Sequence, residues 1–120
     1  SEYGETVWNN PIEITQDITR ILKEDLKCDL IICLSHLGYK YAENSQMISD
    51  LELAATTKNI DLIIGGHTHT FLDKPTIVLN SEHKEVLVNQ VGCYGVVVGQ
   101  IDFYFDEFKN KTATSKIVNV

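Results

Sequence analysis

Three of the four histidines follow directly after the two most apolar segments of the chain. His36 comes shortly after Leu34, which ends the first apolar run. His67 and His69 come shortly after Ile64, which ends the second. Neutral imidazole is the commonest metal-binding side chain, and parallel strands about 5 Å apart bind ligands beyond their carboxyl ends. If both runs are neighbouring strands, this spacing predicts a metal site formed by the three histidines.

The loop that carries the second and third histidines also contains two glycines. Gly65 and Gly66 would let the chain leave the strand sharply and come close to a bound ion or phosphate. His67 and His69 are separated by one residue, so an extended backbone would turn both rings to the same side. Thr68 lies between them. We expect the glycines and this threonine to shape the loop around the metal.

The chemistry open to these histidines depends on whether a carboxylate joins them. Three imidazoles could hold one zinc ion with an open position, as in hydrolytic zinc sites. Two cations about 3.5 to 4 Å apart repel each other and normally need a bridging carboxylate. Asp29 and Asp61 begin the apolar runs, at the far end of the predicted sheet, and Asp73 lies in a loop where we expect it to be solvated. The sequence therefore predicts either a mononuclear site or half of a dinuclear one, with metal ligands but no catalytic residue.

The other reactive side chains do not predict a competing site. His83 lies in a polar turn and is expected to be solvated. Cys28, Cys33 and Cys93 are odd in number and lack zinc-site spacing, so we expect small core residues. Ser35 is adjacent in sequence to a histidine, which is poor geometry for a nucleophile and its base. The sequence also has no nucleophile-elbow motif and no glycine-rich phosphate loop.

The first histidine segment is preceded by a predicted helix. Asn10 can cap it, Pro11 suits the first helical position and Glu13 lies three residues after the cap. These signals predict an irregular lead-in over residues 1–9 and a helix over about residues 11–27. Its apolar residues recur at helical spacing, which predicts one buried stripe made of Ile14, Ile18, Ile21, Leu22 and Leu26.

A unit of helix and strand is then predicted twice. Residues 29–34 and 61–64 are short runs rich in β-branched residues, typical of strands that are buried on both faces. Ser49 and Glu52 form a capping-box pair that predicts a short helix over about residues 46–57. The second half predicts a β-meander, with strand candidates at residues 76–79, 85–90, 95–105 and 112–120. The fold class is therefore α/β, with helix–strand units over about residues 10–70 and the meander over about residues 75–120.

Composition restricts the size of the fold and the class of partner. The 120 residues, 13.5 kDa and 43% apolar content suit one domain or a piece of one. The formal net charge of −7 argues against a nucleic-acid or anionic-membrane partner, because both recruit clustered Lys and Arg. No apolar run approaches the roughly 18 residues of a membrane span, and no secretory signal is visible. The start at Ser1, without an initiator Met, predicts a processed or partial sequence.

The two histidine segments resemble the carboxyl-terminal half of the calcineurin-like metallophosphoesterase superfamily, and most closely its 5'-nucleotidase branch. The matching segments are DLIICLSHLG at residues 29–38 and DLIIGGHTHT at residues 61–70, and a looser match continues through NQVG at residues 89–92. The resemblance covers about residues 10–106. It implies an α/β/β/α sandwich, of which residues 1–120 would form a partial domain.

The resemblance also implies roles for the histidines. His36 and His67 correspond to ligands of the superfamily's second metal, and His69 corresponds to a ligand of its first. The parent enzyme would use two divalent ions such as Zn, Mn or Fe to hydrolyse a phosphate ester or nucleotide. The superfamily's earlier Asp-x-His, Gly-Asp and Asn-His motifs have no counterpart here. We therefore expect this chain to bind zero or one ion and to be inactive alone, and family habit favours the periplasm or cell surface.

Two other functions stay open at this stage. The chain could be a non-catalytic α/β binding or assembly module, completed by a partner chain or by a second copy that pairs with exposed strand edges. It could also be a mononuclear zinc hydrolase that uses the three histidines alone.

Overall fold

The computed structural model describes residues 4–120, and the predicted lead-in over residues 1–9 lies partly outside them. Helix α1 spans Pro11–Arg20 and continues as a π-helical turn over Ile21–Asp25. The other elements follow in the order β1 (Ile32–Leu34), α2 (Asp50–Thr56), β2 (Leu62–Ile64), β3 (Thr76–Leu79), β4 (Glu85–Asn89), β5 (Val97–Phe105) and β6 (Lys111–Asn119).

The first helix begins where its capping signal predicts. The side-chain oxygen of Asn10 accepts hydrogen bonds from the backbone N–H groups of Ile12 at 2.9 Å and Glu13 at 3.4 Å. The helix ends near the predicted position, but its last turn widens, because the N–H of Leu26 donates to the carbonyl of Ile21.

The predicted buried stripe of α1 is wrong. Ile14 is 45% exposed and Ile18 is 51% exposed. Thr19 is buried instead, and its hydroxyl bonds to the carbonyl of Lys58 at 3.3 Å, while Ile12 packs against the core. The helix therefore docks through a mixed face whose polar group is satisfied, and the apolar stripe lies on the outside.

The main sheet has the strand order β1-β2-β4-β3. β1, β2 and β4 are parallel, and β3 pairs antiparallel with β4. The register aligns Leu34 with Ile64 and Ile64 with Asn89, so the three parallel strands end level with one another. The predicted α/β class is confirmed. The later strands divide between two sheets, since β5 and β6 form a separate antiparallel pair.

The core lies between the helices and one face of the main sheet. Its buried residues are Leu53, Ala54, Ile60, Ile63, Val86 and Val88. The other face looks towards the β5–β6 hairpin across a cleft of about 630 Å³ that includes Ile32, Ile64 and Phe103. The prediction that both strands are buried on both faces is therefore wrong, since Ile32 is 47% exposed and Ile64 is 44% exposed. This arrangement leaves the carboxyl ends of β1, β2 and β4 at one edge, where the histidine loops begin.

The opposite edge, where the strands start, is held by ion pairs. Asp61 pairs with Lys111 at 2.7 Å and also accepts the backbone N–H of Ile31 at 2.8 Å. Lys111 donates to the carbonyl of Asp29, whose carboxylate pairs with Lys109 at 3.1 Å. Both aspartates therefore join the sheet to the hairpin, which agrees with their predicted place at the strand starts.

Candidate metal centre

The structure brings two of the predicted metal ligands together at the carboxyl edge of the sheet. His36 follows β1 and His67 follows β2, and these strands are parallel neighbours. The ring centroids of the two histidines lie 5.1 Å apart, with an interplanar angle of 69°. Both side chains are exposed, so a ligand could reach them from solvent.

The ring of the third predicted ligand, His69, lies near a residue outside the histidine pair. Its ring centroid lies 6.2 Å from that of Tyr94. The premise that an extended backbone aligns the two loop histidines is wrong, because His67 has φ 70° and His69 has φ 53°. Within residues 4–120, no group of three or more His, Cys, Asp or Glu side chains is placed to hold a metal ion. A site that unites all three histidines stays a prediction.

A buried carboxylate lies beneath the first histidine loop, and the sequence reasoning missed it. Asp50 is the first residue of α2 and is fully buried. Its Oδ1 accepts a hydrogen bond of 2.5 Å from the hydroxyl of Ser35, which in turn accepts the N–H of Leu37. Its Oδ2 has no hydrogen-bond partner among the described residues.

The environment of Asp50 changes its acidity. Burial raises the pKa of the carboxyl above its ordinary value, although the hydrogen bond from Ser35 and the nearby His36 favour the ionised form. The capping pair Ser49 and Glu52 could have indicated this residue. The Ser49 hydroxyl accepts the N–H of Glu52 at 3.2 Å, as predicted, and this cap sets Asp50 at the buried start of α2.

Gly65 leaves the space that the buried carboxylate occupies. A Cβ built at Gly65 would collide with Oδ2 of Asp50 and would lie 3.3 Å from Nε2 of Gln90. Ser35, Gly65 and Gln90 each follow the last residue of a level parallel strand, so they form one row across the sheet. Asp50 packs over the middle of this row.

Gly66 and Thr68 lie in the loop after β2, and both contact the loop after β1. A Cβ at Gly66 would lie 3.1 Å from Nδ1 of His36, so the glycine lets this ring approach the second loop. The Thr68 hydroxyl accepts the N–H of Tyr39 at 3.0 Å and bonds to the hydroxyl of Thr70 at 2.9 Å. Thr68 therefore ties the loop after β2 to the loop after β1.

The reactive residues for which the sequence predicted no functional role are either exposed or half-buried. His83 lies in the turn between β3 and β4, and Asp73 is exposed. The three cysteines are free and half-buried. Among them Cys33 packs against the core, and burial, with a smaller effect of Asp50, raises the pKa of its thiol.

Sequence comparison finds relatives of this chain that are named as a nucleotide phosphoesterase and as an apyrase. No protein-family model matches it. It is 42% identical over 101 residues to the trifunctional nucleotide phosphoesterase protein YfkN of Bacillus subtilis, and 30% identical over 125 residues to an apyrase of Tabanus yao. These matches cover 84% and 92% of the chain but only 6% and 21% of the two relatives.

Solved structures agree with the sequence comparison. The fold matches a 5'-nucleotidase precursor from Thermus thermophilus with a TM-score of 0.78 and 31% identity, over 92% of this chain and 23% of that one. The chain is thus homologous to part of 5'-nucleotidase-related proteins, which confirms the resemblance drawn from the two histidine segments. No helix of residues 4–120 is long and apolar enough to cross a membrane.

Proposed function

We propose that this chain supplies part of the metal centre of a divalent-metal-dependent nucleotide phosphoesterase. His36 and His67 would hold one cation, and His69 would serve a second cation in the longer protein. The 120 residues would form part of one phosphoesterase domain. The homology to a nucleotide phosphoesterase, an apyrase and a 5'-nucleotidase supports a nucleotide phosphate ester as substrate.

The observation that carries this proposal is the distance between two rings. An imidazole nitrogen lies about 2.1 Å from a bound zinc ion, which puts its ring centroid about 3.2 Å from the ion. Two imidazoles at a tetrahedral angle would then have centroids about 5.2 Å apart. The 5.1 Å between the centroids of His36 and His67 matches this value. This spacing supports the proposal that the two histidines share one cation.

The chain's own residues would bind and orient rather than carry out the chemical step. A bound divalent cation would polarise a phosphoryl oxygen and lower the pKa of a water molecule. Nδ1 of His36 is the ring nitrogen beside Gly66, which leaves Nε2 as the freer nitrogen for a metal. Asp50 does not offer a bridging carboxylate, because it is buried and bonded to Ser35. The isolated chain would accordingly bind a metal and hydrolyse phosphate esters little or not at all.

The site of action proposed for the longer protein is outside the cytoplasm. The relatives include venom 5'-nucleotidases of Gloydius brevicauda and Crotalus adamanteus, each 28% identical over 98 residues. For the longer protein, the corresponding location would be the periplasm or the cell surface.

Metal titration of matched histidine variants tests the proposal. His36→Asn and His67→Asn should lower the affinity for Mn²⁺ or Zn²⁺ by more than about 100-fold, because the loss of a direct ligand should cost more than the roughly 10- to 100-fold caused by the loss of a residue that only orients a ligand. His83→Asn is the control, because His67 and His83 share a left-handed backbone, with φ 70° and 61°, that Asn adopts readily.

The titration is paired with a hydrolysis assay. The natural protein that contains this sequence should hydrolyse AMP or p-nitrophenyl phosphate with Mn²⁺, and His67→Asn should remove that activity. Equal metal affinities for the wild type, His67→Asn and His83→Asn would refute the proposed ligand pair. Turnover by the 120-residue chain alone, at ordinary enzyme rates, would refute the partial-site proposal.

A further inference from the structure

A buried amide holds the loop that carries two of the three proposed metal ligands. Gln90 follows β4, the parallel neighbour of β2, and is only 2% exposed. Its side chain reaches across to the loop after β2 and does not take part in the proposed metal coordination.

The amide contacts the loop on both sides of the histidines. Nε2 of Gln90 donates to the carbonyl of Gly66 at 3.0 Å. Oε1 accepts the backbone N–H of Thr70 at 2.5 Å and the hydroxyl of Thr68 at 3.3 Å. The carbonyl and the N–H that it binds lie immediately before His67 and immediately after His69. One planar group therefore closes the loop segment that bears both rings.

The loop between these contacts has a backbone that needs such support. His67 has φ 70°, and the N–H of Thr68 donates to the carbonyl of Gly66 at 2.9 Å, which makes a γ-turn at the histidine. His69 also has a left-handed φ, 53°. L-residues with side chains adopt such angles at a cost in free energy and keep them where the surroundings fix them.

We propose that Gln90 is the positioning residue of the histidine loop, fixing the left-handed backbone at His67 and His69 so that the metal meets preset ligands. This inference rests on the proposed metal function. Glutamine suits the role because the loop presents an acceptor at Gly66 and a donor at Thr70. Only a carboxamide offers the complementary donor and acceptor at that length without charge. Groups that orient metal ligands are commonly worth 10- to 100-fold in metal affinity.

Gln90→Met tests the proposal by removing both polar atoms at nearly constant length. We expect Mn²⁺ or Zn²⁺ affinity to fall by about 10- to 100-fold and the Thr70 amide to exchange its hydrogen at least about 10-fold faster. Gln90→Glu keeps the acceptor for Thr70 and loses the donor for Gly66. It should restore most of the Thr70 protection and only part of the metal affinity.

Thr57→Val is the matched control in the same protein. Thr57 is 1% exposed at the end of α2, and its hydroxyl donates to the carbonyl of Leu53 at 2.7 Å within that helix rather than to the histidine loop. It should lose a similar amount of thermal stability and keep wild-type metal affinity. Equal losses of affinity in Thr57→Val and Gln90→Met would overturn the proposal, because they would report general destabilisation.

The amide-exchange measurement separates this proposal from the proposed function. If the wild type binds no divalent cation, the metal proposal fails, whereas Thr70 exchange in the metal-free protein still decides whether Gln90 holds the loop. Unchanged Thr70 protection in a folded Gln90→Met protein would overturn the positioning role whatever the metal result.

Discussion

The two edges of the parallel sheet use aspartate in opposite ways. Where the strands start, Asp61 pairs with Lys111 and Asp29 pairs with Lys109. Where the strands end, Asp50 is fully buried, and one of its oxygens has no hydrogen-bond partner within residues 4–120. An unsatisfied buried carboxylate costs free energy, whereas paired ones join neighbouring elements. The starting edge therefore stabilises the junction of the sheet and the hairpin, whereas the ending edge holds a destabilising carboxyl beneath the histidine loops.

The pKa values of two aspartates, Asp106 and Asp50, are shifted in opposite directions. In the β5–β6 turn, beside the starting edge, hydrogen bonds from Asn110 and Phe108 lower the pKa of Asp106. At the ending edge, burial raises the pKa of Asp50. The hydrogen bonds in the turn therefore favour the ionised carboxyl of Asp106, whereas burial disfavours the ionised carboxyl of Asp50.

The largest expected effect comes from filling the space between the strand ends and Asp50. Gly65→Ala should lower the free energy of unfolding by about 2 to 3 kcal/mol, because the added methyl group collides with the buried carboxyl of Asp50. Urea unfolding measures this change. Gly95→Ala is the control, since a Cβ there meets nothing within 4 Å and only its φ of 66° is strained. A loss at Gly65 no larger than that at Gly95 would contradict the tight packing.

At the starting edge a smaller loss is expected when the half-buried ion pair is broken. Lys111→Met should cost about 1 to 2 kcal/mol, since it removes a cation from Asp61 and a hydrogen bond from the carbonyl of Asp29. Lys109→Met should cost at most about 0.5 kcal/mol, because its pair is largely exposed, at 71% and 52%. Thermal unfolding of the two variants at equal ionic strength compares them directly. Similar losses of stability would show that the two ion pairs contribute equally.

The smallest expected effect is a difference in pH dependence. The pKa of Asp50 is raised above the ordinary 3.8, so its contribution to stability declines as the pH rises from 3.8 through its folded pKa. The pKa of Asp106 is lowered, so its contribution is present above 3.8 and is lost as the pH falls through its folded pKa. Asp50→Asn should flatten the stability profile above 3.8, and Asp106→Asn should flatten it below. Carboxyl ¹³C shifts recorded from about pH 2 to 7 should show Asp106 titrating below the ordinary value and Asp50 above it, and coincident titration would contradict the contrast.

Local signals predicted the elements well. Asn10 and Ser49 cap the two helices, and β3 begins and ends at the predicted residues, Thr76 and Leu79. These features depend on a few neighbouring residues, so the sequence carries them directly. The proximity of His36 and His67 could also be predicted from the sequence, because each of two similar apolar runs is followed by a histidine. The two runs form neighbouring parallel strands, as that prediction required.

Long-range contacts set what the sequence did not predict. Periodicity identified the apolar residues of α1, but the face that docks was decided by Thr19 and its partner, the carbonyl of Lys58. Asp50 reaches the histidine loop from a helix whose position depends on the whole sheet. The loop with left-handed angles at His67 and His69 is hydrogen-bonded to Gln90, which is distant in sequence. Local sequence patterns do not predict such contacts between residues that are remote in sequence.

The tight space beside Gly65 restricts which substitutions the surrounding positions can accept during evolution. Oδ2 of Asp50 and Nε2 of Gln90 fill the volume that a larger residue at position 65 would take. Positions 50, 65 and 90 therefore share one space, and alanine at position 65 would be better tolerated with a shorter residue at position 50. Correlated exchange at these positions, rather than independent variation, is the mark that this packing will leave in an alignment of descendants.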